Sequence, residues 1–98
     1  MTNTTTTDRV LNDRNQEEAT VNITSLDQSG AEPWTPKDEL AELTDPTKVV
    51  IAGQESTTHA ITFDHLDTQF NVRDRSDNSL TSSGTDVGEV EVVAFGNR

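Results

Sequence analysis

Cysteine is absent from this 98-residue chain, and aromatic residues are scarce, with one Trp, three Phe and no Tyr. Without cysteine, no disulfide can stabilise the fold, and no thiol can bind a metal ion or attack a substrate. The longest apolar run, VVIA at residues 49–52, is far shorter than the roughly 20 residues of a membrane-spanning helix. Residues 1–20 also lack the apolar segment of a secretory signal peptide. The sequence therefore predicts a chain made without a signal peptide and with no membrane span.

Large apolar side chains are few as well. Leu, Ile, Val and Phe together make up 21 of 98 residues, close to the roughly 20% below which a highly charged chain is expected to be disordered. The length allows one small domain. We therefore expect marginal stability unless partners or solvent contribute.

Acidic residues greatly exceed basic ones, and the net charge is −11. So many carboxylates repel one another in ordinary buffer, but at molar salt the Debye length falls to about 3 Å and the repulsion is largely screened. Acid excess, scarce Lys, abundant Thr and Val and the lack of Cys resemble the composition of haloarchaeal proteins. An acidic mesophilic protein is the alternative.

The order of the segments predicts a mainly β fold. Residues 1–18 form a polar, Thr-rich N-terminal arm, and residues 19–98 form a small β-rich domain. Alternating or β-branched patterns predict strands at residues 19–26, 47–53, 57–63, 68–74 and 87–95. A low-complexity loop is expected at about 74–86. The predicted fold is a small single-domain sandwich or barrel-like sheet of about five strands with one short helix and an extended arm.

The helix is expected at about residues 36–43. Thr35 can act as its N-cap, Pro36 suits the first helical position, and Asp38 and Glu39 favour the first turn. Pro46 disfavours a helical Asp45 and so ends the segment.

Two groups of side chains are candidates for a metal site. His65 and Asp67 can meet in a turn, whereas His59 and His65 lie too far apart if both are in one strand. Asp74, Asp77 and Asp86 lie in an oxygen-rich stretch, but an EF-hand starting at Asp74 requires Gly and Glu where Ser79 and Thr85 stand. A solvated turn and a solvated loop are the preferred interpretations, so we predict no metal and no cofactor.

Catalysis and direct binding of nucleic acid are also disfavoured. The chain contains no G-x-S-x-G elbow, no phosphate-binding loop and no G-x-G-x-x-G motif. Arg73 and Arg75, the nearest approach to a basic patch, are surrounded by Asp74 and Asp77. We therefore predict a protein that is not an enzyme, with no small-molecule substrate and no direct nucleic-acid contact.

Trp34, the single indole, allows two interpretations. It can anchor a partner, since Trp is enriched at interface hot spots, or it can pack back against Leu40. The predicted partner-binding residues include Trp34 and five residues of the arm, namely Thr4, Thr5, Thr6, Thr7 and Val10.

A small, acidic, β-rich chain with a polar arm and no evident pocket is typical of a minor structural subunit. Together with the salt-adapted composition, it resembles the small virion proteins of haloarchaeal viruses. That resemblance implies a non-enzymatic, multi-copy subunit located in the virion (capsid decoration, cement, head–tail or tail component), with other virion proteins as partners. The alternatives are an acidic regulatory or DNA-mimic protein that binds a basic partner, and a small metal-dependent enzyme.

Overall fold

The computed structural model describes residues 1–11 and 15–97, and these residues form seven strands and one helical turn. The predicted arm also includes residues 12–14, which lie outside the described part. In chain order the elements are β1 (Asn3–Leu11), β2 (Gln16–Ile23), β3 (Ala31–Pro33), α1 (Pro36–Glu39), β4 (Asp45–Gln54), β5 (His59–Asp64), β6 (Gln69–Asp74) and β7 (Gly88–Asn97).

The strands form two sheets in which every pairing is antiparallel. One sheet has four strands in the order β1-β2-β7-β4, and the other has three in the order β3-β6-β5. Strands β2 and β7 therefore occupy the centre of the larger sheet, and β1 and β4 form its two edges. The mainly β fold class predicted from the sequence is confirmed.

A single hydrophobic core lies between the two sheets. Alternation along the strands directs one side chain in two inward, so that Val21 and Val90 of the larger sheet meet Phe70 and Val72 of the smaller one. The remaining core residues are Ala19, Ile23, Leu26, Trp34, Leu40, Leu43, Val49, Ile61, Val87, Val92 and Ala94. Small and β-branched side chains dominate the core, which explains how so few large residues fill it.

The five strands expected from the sequence correspond to β2, β4, β5, β6 and β7, each with shifted ends. The expected total of about five strands is too low because β1 and β3 were not predicted. Strand β1 corrects the prediction of an extended arm outside the β-rich domain, since it pairs with β2 from Asn3↔Ile23 to Leu11↔Gln16.

The helix is shorter than the predicted 36–43 and ends at Glu39. Thr35 makes no side-chain capping hydrogen bond, and Leu40 is already extended at φ −79° and ψ 140°. The backbone N–H groups of residues 41–43 donate to the Glu17 carboxylate. Since those amides find a side-chain acceptor, the backbone does not need a further helical turn to satisfy them.

Candidate interaction surface

The inner face of β1 is attached to its own domain by polar side chains. Asn3, Thr5 and Thr7 are half-buried, whereas Thr4 and Thr6 on the opposite face are exposed. The Thr5 hydroxyl accepts a hydrogen bond of 2.9 Å from the indole Nε1 of Trp34. Threonine suits this position because its branched Cβ favours a strand and its short hydroxyl meets a buried donor at the edge of the core.

Glu17, on β2, is fully buried and forms the second attachment point of β1. Its Oε2 accepts from the Thr7 hydroxyl at 2.5 Å and from Ala41 N–H at 3.0 Å. Its Oε1 accepts from the N–H groups of Glu42 and Leu43, each at 3.0 Å. Although burial acts to raise the pKa of Glu17, the hydrogen bonds from Thr7, Leu43, Glu42 and Ala41 outweigh it, and the pKa lies below its ordinary value.

Glu32, on β3, is the third attachment point and is also fully buried. Its Oε2 accepts hydrogen bonds from the Thr2 hydroxyl and from the Asn3 side-chain amide, and its Oε1 accepts from Asp27 N–H at 2.8 Å. Because Glu32 belongs to the smaller sheet and Asn3 to the larger one, this carboxylate ties the two sheets together at the start of β1.

These contacts correct the partner-binding assignment of Trp34 and account for the hydroxyls of Thr5 and Thr7. Trp34 is 1% exposed and packs against Phe63 and Phe70, with ring centroids 5.9 and 5.4 Å apart. The hydroxyls of Thr5 and Thr7 are engaged within the domain. Trp34 therefore belongs to the buried core, which also contains Leu40, and its ring is not exposed to a partner.

The outer edge of β1 is the part of the predicted surface that the fold leaves accessible. Strand β1 pairs with β2 on one side only, and on its other side no strand of the described residues is present. Thr4 and Thr6 project into solvent beside this edge, and Val10 is half-buried further along. One irregularity in register, between Thr7 and Arg9, interrupts the pairing. An edge of this kind presents free backbone N–H and C=O groups to another strand.

The opposite edge, β4, carries features that discourage strand addition. Pro46 lies near its start, and Lys48 lies two residues further on. The register shifts twice, between Pro46 and Lys48 and between Ile51 and Gly53. Proline removes a backbone donor, while lysine and bulges interfere with pairing. The two edges of the same sheet are therefore unequal, and β1 is the open one.

A Ser–His–Asp group, not singled out in the sequence, lies around the β4–β5 connection. Ser56 Oγ is 2.6 Å from His59 Nδ1, but His59 Nε2 is 3.7 Å from Asp74 Oδ1, which is too long for a hydrogen bond. Ser56 Oγ also accepts from Thr58 N–H at 3.2 Å, and Asp74 Oδ1 accepts from the Thr81 hydroxyl at 2.9 Å. This geometry fits a network that stabilises a turn better than an activated nucleophile.

The candidate metal ligands are likewise engaged in hydrogen bonds with separate partners. His65 Nε2 accepts a hydrogen bond from Val49 N–H at 2.9 Å. Asp77 Oδ1 accepts from Ser79 N–H, and Asp74 Oδ1 accepts from the Thr81 hydroxyl. In residues 1–11 and 15–97, no three His, Asp or Glu side chains converge in a way that would hold a metal ion.

No helix in the described part of the chain has the length and apolar character needed to cross a membrane. A scan against protein-family models, a search of curated proteins and a search of solved structures each found no match. The function is therefore argued from the geometry of the edge strand and from the chemistry of the surface.

Proposed function

We propose that this protein is a non-enzymatic structural subunit of a virion from a halophilic archaeal virus, acting as a capsid decoration or cement protein or as a head–tail or tail component. The observation that carries the proposal is the open outer edge of β1, a nine-residue strand anchored on its inner face and unpaired on its outer side within the described chain. A neighbouring subunit binds there by adding an extended strand.

The anchoring of β1 suits it to this role. Trp34, Glu17 and Glu32 hold the inner face of β1 in place, so the edge is ordered before a partner arrives. A preorganised edge loses less conformational entropy on binding than a free arm would. In a multi-copy particle, many such contacts act together, and a modest affinity at each one is sufficient.

The acidic surface supports the halophilic part of the proposal. We predict that raising KCl from about 0.1 M to about 3 M increases the melting temperature by about 10 °C or more, because the screening length falls from about 10 Å to below 3 Å and carboxylate repulsion disappears. Circular dichroism melts across the salt series provide the measurement. A chain with the same melting temperature at both ends of the series would contradict salt adaptation.

The role of β1 is tested by placing lysines on its open edge. We expect the double substitution Thr4→Lys and Thr6→Lys to reduce co-sedimentation with particles from the source culture by about tenfold or more, since edge lysines oppose strand addition. Both side chains are exposed, so the melting temperature of the variant should lie within a few degrees of that of the wild type.

A charge-matched control is available in the substitutions Thr57→Lys and Ser76→Lys, at exposed positions outside the larger sheet. These should leave co-sedimentation unchanged. If the control and the β1 variant lose binding equally, charge alone is responsible and the strand-addition proposal fails. If wild-type protein remains a folded monomer that never co-sediments with particles, the structural role itself is refuted.

A further inference from the structure

The only two lysines of this strongly acidic chain, Lys37 and Lys48, line the same pocket. The pocket has a volume of about 190 Å³ and lies between α1, the start of β4 and the β5–β6 turn, with Val49 and Phe63 among its apolar residues. Within residues 1–11 and 15–97 neither lysine forms an ion pair. A cationic, apolar pocket in a chain of net charge −11 is suited to an apolar group flanked by carboxylates.

The walls of this pocket are held in a fixed shape. Phe63 packs edge-to-face against Trp34 and Phe70, with centroid distances of 5.9 and 5.2 Å. The His65 ring lies perpendicular to Phe63 at 5.0 Å, and its Nε2 accepts from Val49 N–H. The pocket is therefore formed before any ligand enters, which reduces the entropy lost on binding.

An apolar group flanked by carboxylates lies directly beside the pocket, at the tip of the β5–β6 turn. Leu66 is 95% exposed and stands between Asp64 and Asp67 in the sequence DHLD. Asp64 Oδ1 accepts from the N–H groups of Leu66 at 2.9 Å and of Asp67 at 3.2 Å, which fixes the turn. An almost fully exposed leucine on a fixed turn is a surface feature that suits a partner's pocket.

Thr68 shows that this turn is held against a local backbone preference. Its φ is +49°, a left-handed conformation that is uncommon for a β-branched residue. Its carbonyl accepts from Trp34 N–H at 3.0 Å, and the residue lines the pocket. The same residue therefore connects the turn that carries Leu66, the buried Trp34 and the pocket wall.

We propose that the pocket binds Leu66 of a second copy of this chain, with Asp67 of that copy facing Lys37 and Lys48. His65 lines the pocket and is adjacent to Leu66 in the chain, so the protruding leucine and the pocket belong to one continuous patch. Two copies related by a two-fold axis can exchange the leucine reciprocally, each supplying one pocket and one side chain. The opposite charges of pocket and turn favour a second copy as the occupant.

This contact does not involve the outer edge of β1, and the two interactions are separable. The reciprocal patch is small, so we expect a weak monomer–dimer equilibrium, visible at high protein concentration. The lysine variant of Thr4 and Thr6 should retain this dimer. If no dimer forms, the proposed role of β1 therefore still stands. If the β1 variant binds particles normally, the proposed dimer still stands.

The first experiment is sedimentation velocity over a concentration series of wild-type and Leu66→Asn protein in about 1 M KCl. Loss of two buried leucines should raise the dimer dissociation constant by about a hundredfold or more. Leu80→Asn is the matched control, since Leu80 is half-exposed and does not line the pocket. A wild-type chain that stays monomeric, or a Leu66→Asn variant that dimerises like the control, overturns the proposal.

The second experiment tests the pairing of charges by exchange at about 0.15 M salt, with folding of each variant checked by circular dichroism. Asp67→Lys and the double variant Lys37→Glu, Lys48→Glu should each be monomeric alone, because like charges then meet at both contacts. Mixed together, they should form a heterodimer in which both contacts join opposite charges. No association in the mixture, or equal association of each variant alone, overturns the proposed pairing.

Discussion

Deletion of residues 2–10 is expected to abolish cooperative folding, even in molar salt. The deletion removes the donors that Thr2, Asn3 and Thr7 supply to two buried carboxylates, and it removes the acceptor for the Trp34 indole. It also converts β2, a central strand, into an edge. The unpaired indole alone destabilises the fold by about 1–3 kcal/mol, and the two carboxylates keep only their backbone N–H donors. These losses add to that of a whole strand, in a domain that has only about 5–15 kcal/mol of stability.

Circular dichroism and tryptophan fluorescence during thermal unfolding measure this effect. Point variants separate the contribution of the hydroxyls from that of the strand. Thr5→Val keeps the shape and strand propensity but leaves the Trp34 indole N–H unpaired, so we expect the free energy of unfolding to fall by about 1–3 kcal/mol. Thr6→Val, on the exposed face, is the matched control and should change stability by less than about 0.5 kcal/mol. A truncated chain that melts like the full chain would show that residues 2–10 contribute nothing to the domain.

Substitution of Glu17 by Gln is expected to reduce the free energy of unfolding by about 2–4 kcal/mol at neutral pH. The carboxylate accepts two hydrogen bonds on each oxygen, whereas an amide offers one acceptor oxygen and turns its NH₂ group toward two donors. With the NH₂ group on the side of Thr7, the hydroxyl can turn to accept from it, but the Ala41 N–H loses its acceptor, at about 1–3 kcal/mol when buried. The remaining hydrogen bonds also lose the strength that the charge of the carboxylate gave them. Denaturant unfolding of the variant and of Glu18→Gln, its half-buried neighbour, measures the difference.

The same carboxylate predicts a dependence of stability on pH. The pKa of Glu17 in the folded protein lies below its ordinary value of 4.5 because hydrogen bonds from Thr7 and from the N–H groups of residues 41–43 outweigh the effect of burial. A lowered pKa in the folded state means that the stabilisation is fully present above pH 4.5 and is lost as the pH falls through the folded pKa. The stability difference between wild type and Glu17→Gln should therefore be constant above that pH and shrink below it; a difference that grows in acid would contradict the assignment.

Strand patterns in the sequence predicted most of the β architecture because they depend on local alternation. Val21 and Ile23, or Phe70 and Val72, recur every second residue and fall on the core face. Strand β1 was missed because its inward positions, Asn3, Thr5 and Thr7, are polar and resemble solvent-facing residues in the sequence. The only signal that could have identified it is the β propensity of consecutive threonines.

The attachment of β1 was beyond prediction because it depends on residues far apart in the chain. Glu17 and Glu32 look like surface carboxylates in a chain rich in acids, and only the fold places donors around them. The helix was overestimated for a related reason, since Glu17 takes the amides of residues 41–43 that a longer helix would have used. The pocket was not predicted either, because its residues Lys37, Lys48 and Phe63 come from three elements that are far apart in the sequence.

The unequal edges of the larger sheet limit how far it can grow. A strand added at β1 extends the sheet on that side, but β4, with Pro46, Lys48 and two shifts in register, offers no equivalent site on the other. If the added strand is β1 of another copy, the joined sheet ends in β4 at both sides and addition stops at two molecules. The unequal edges would therefore limit continuous growth of this sheet by strand addition, the kind of growth that produces cross-β fibres.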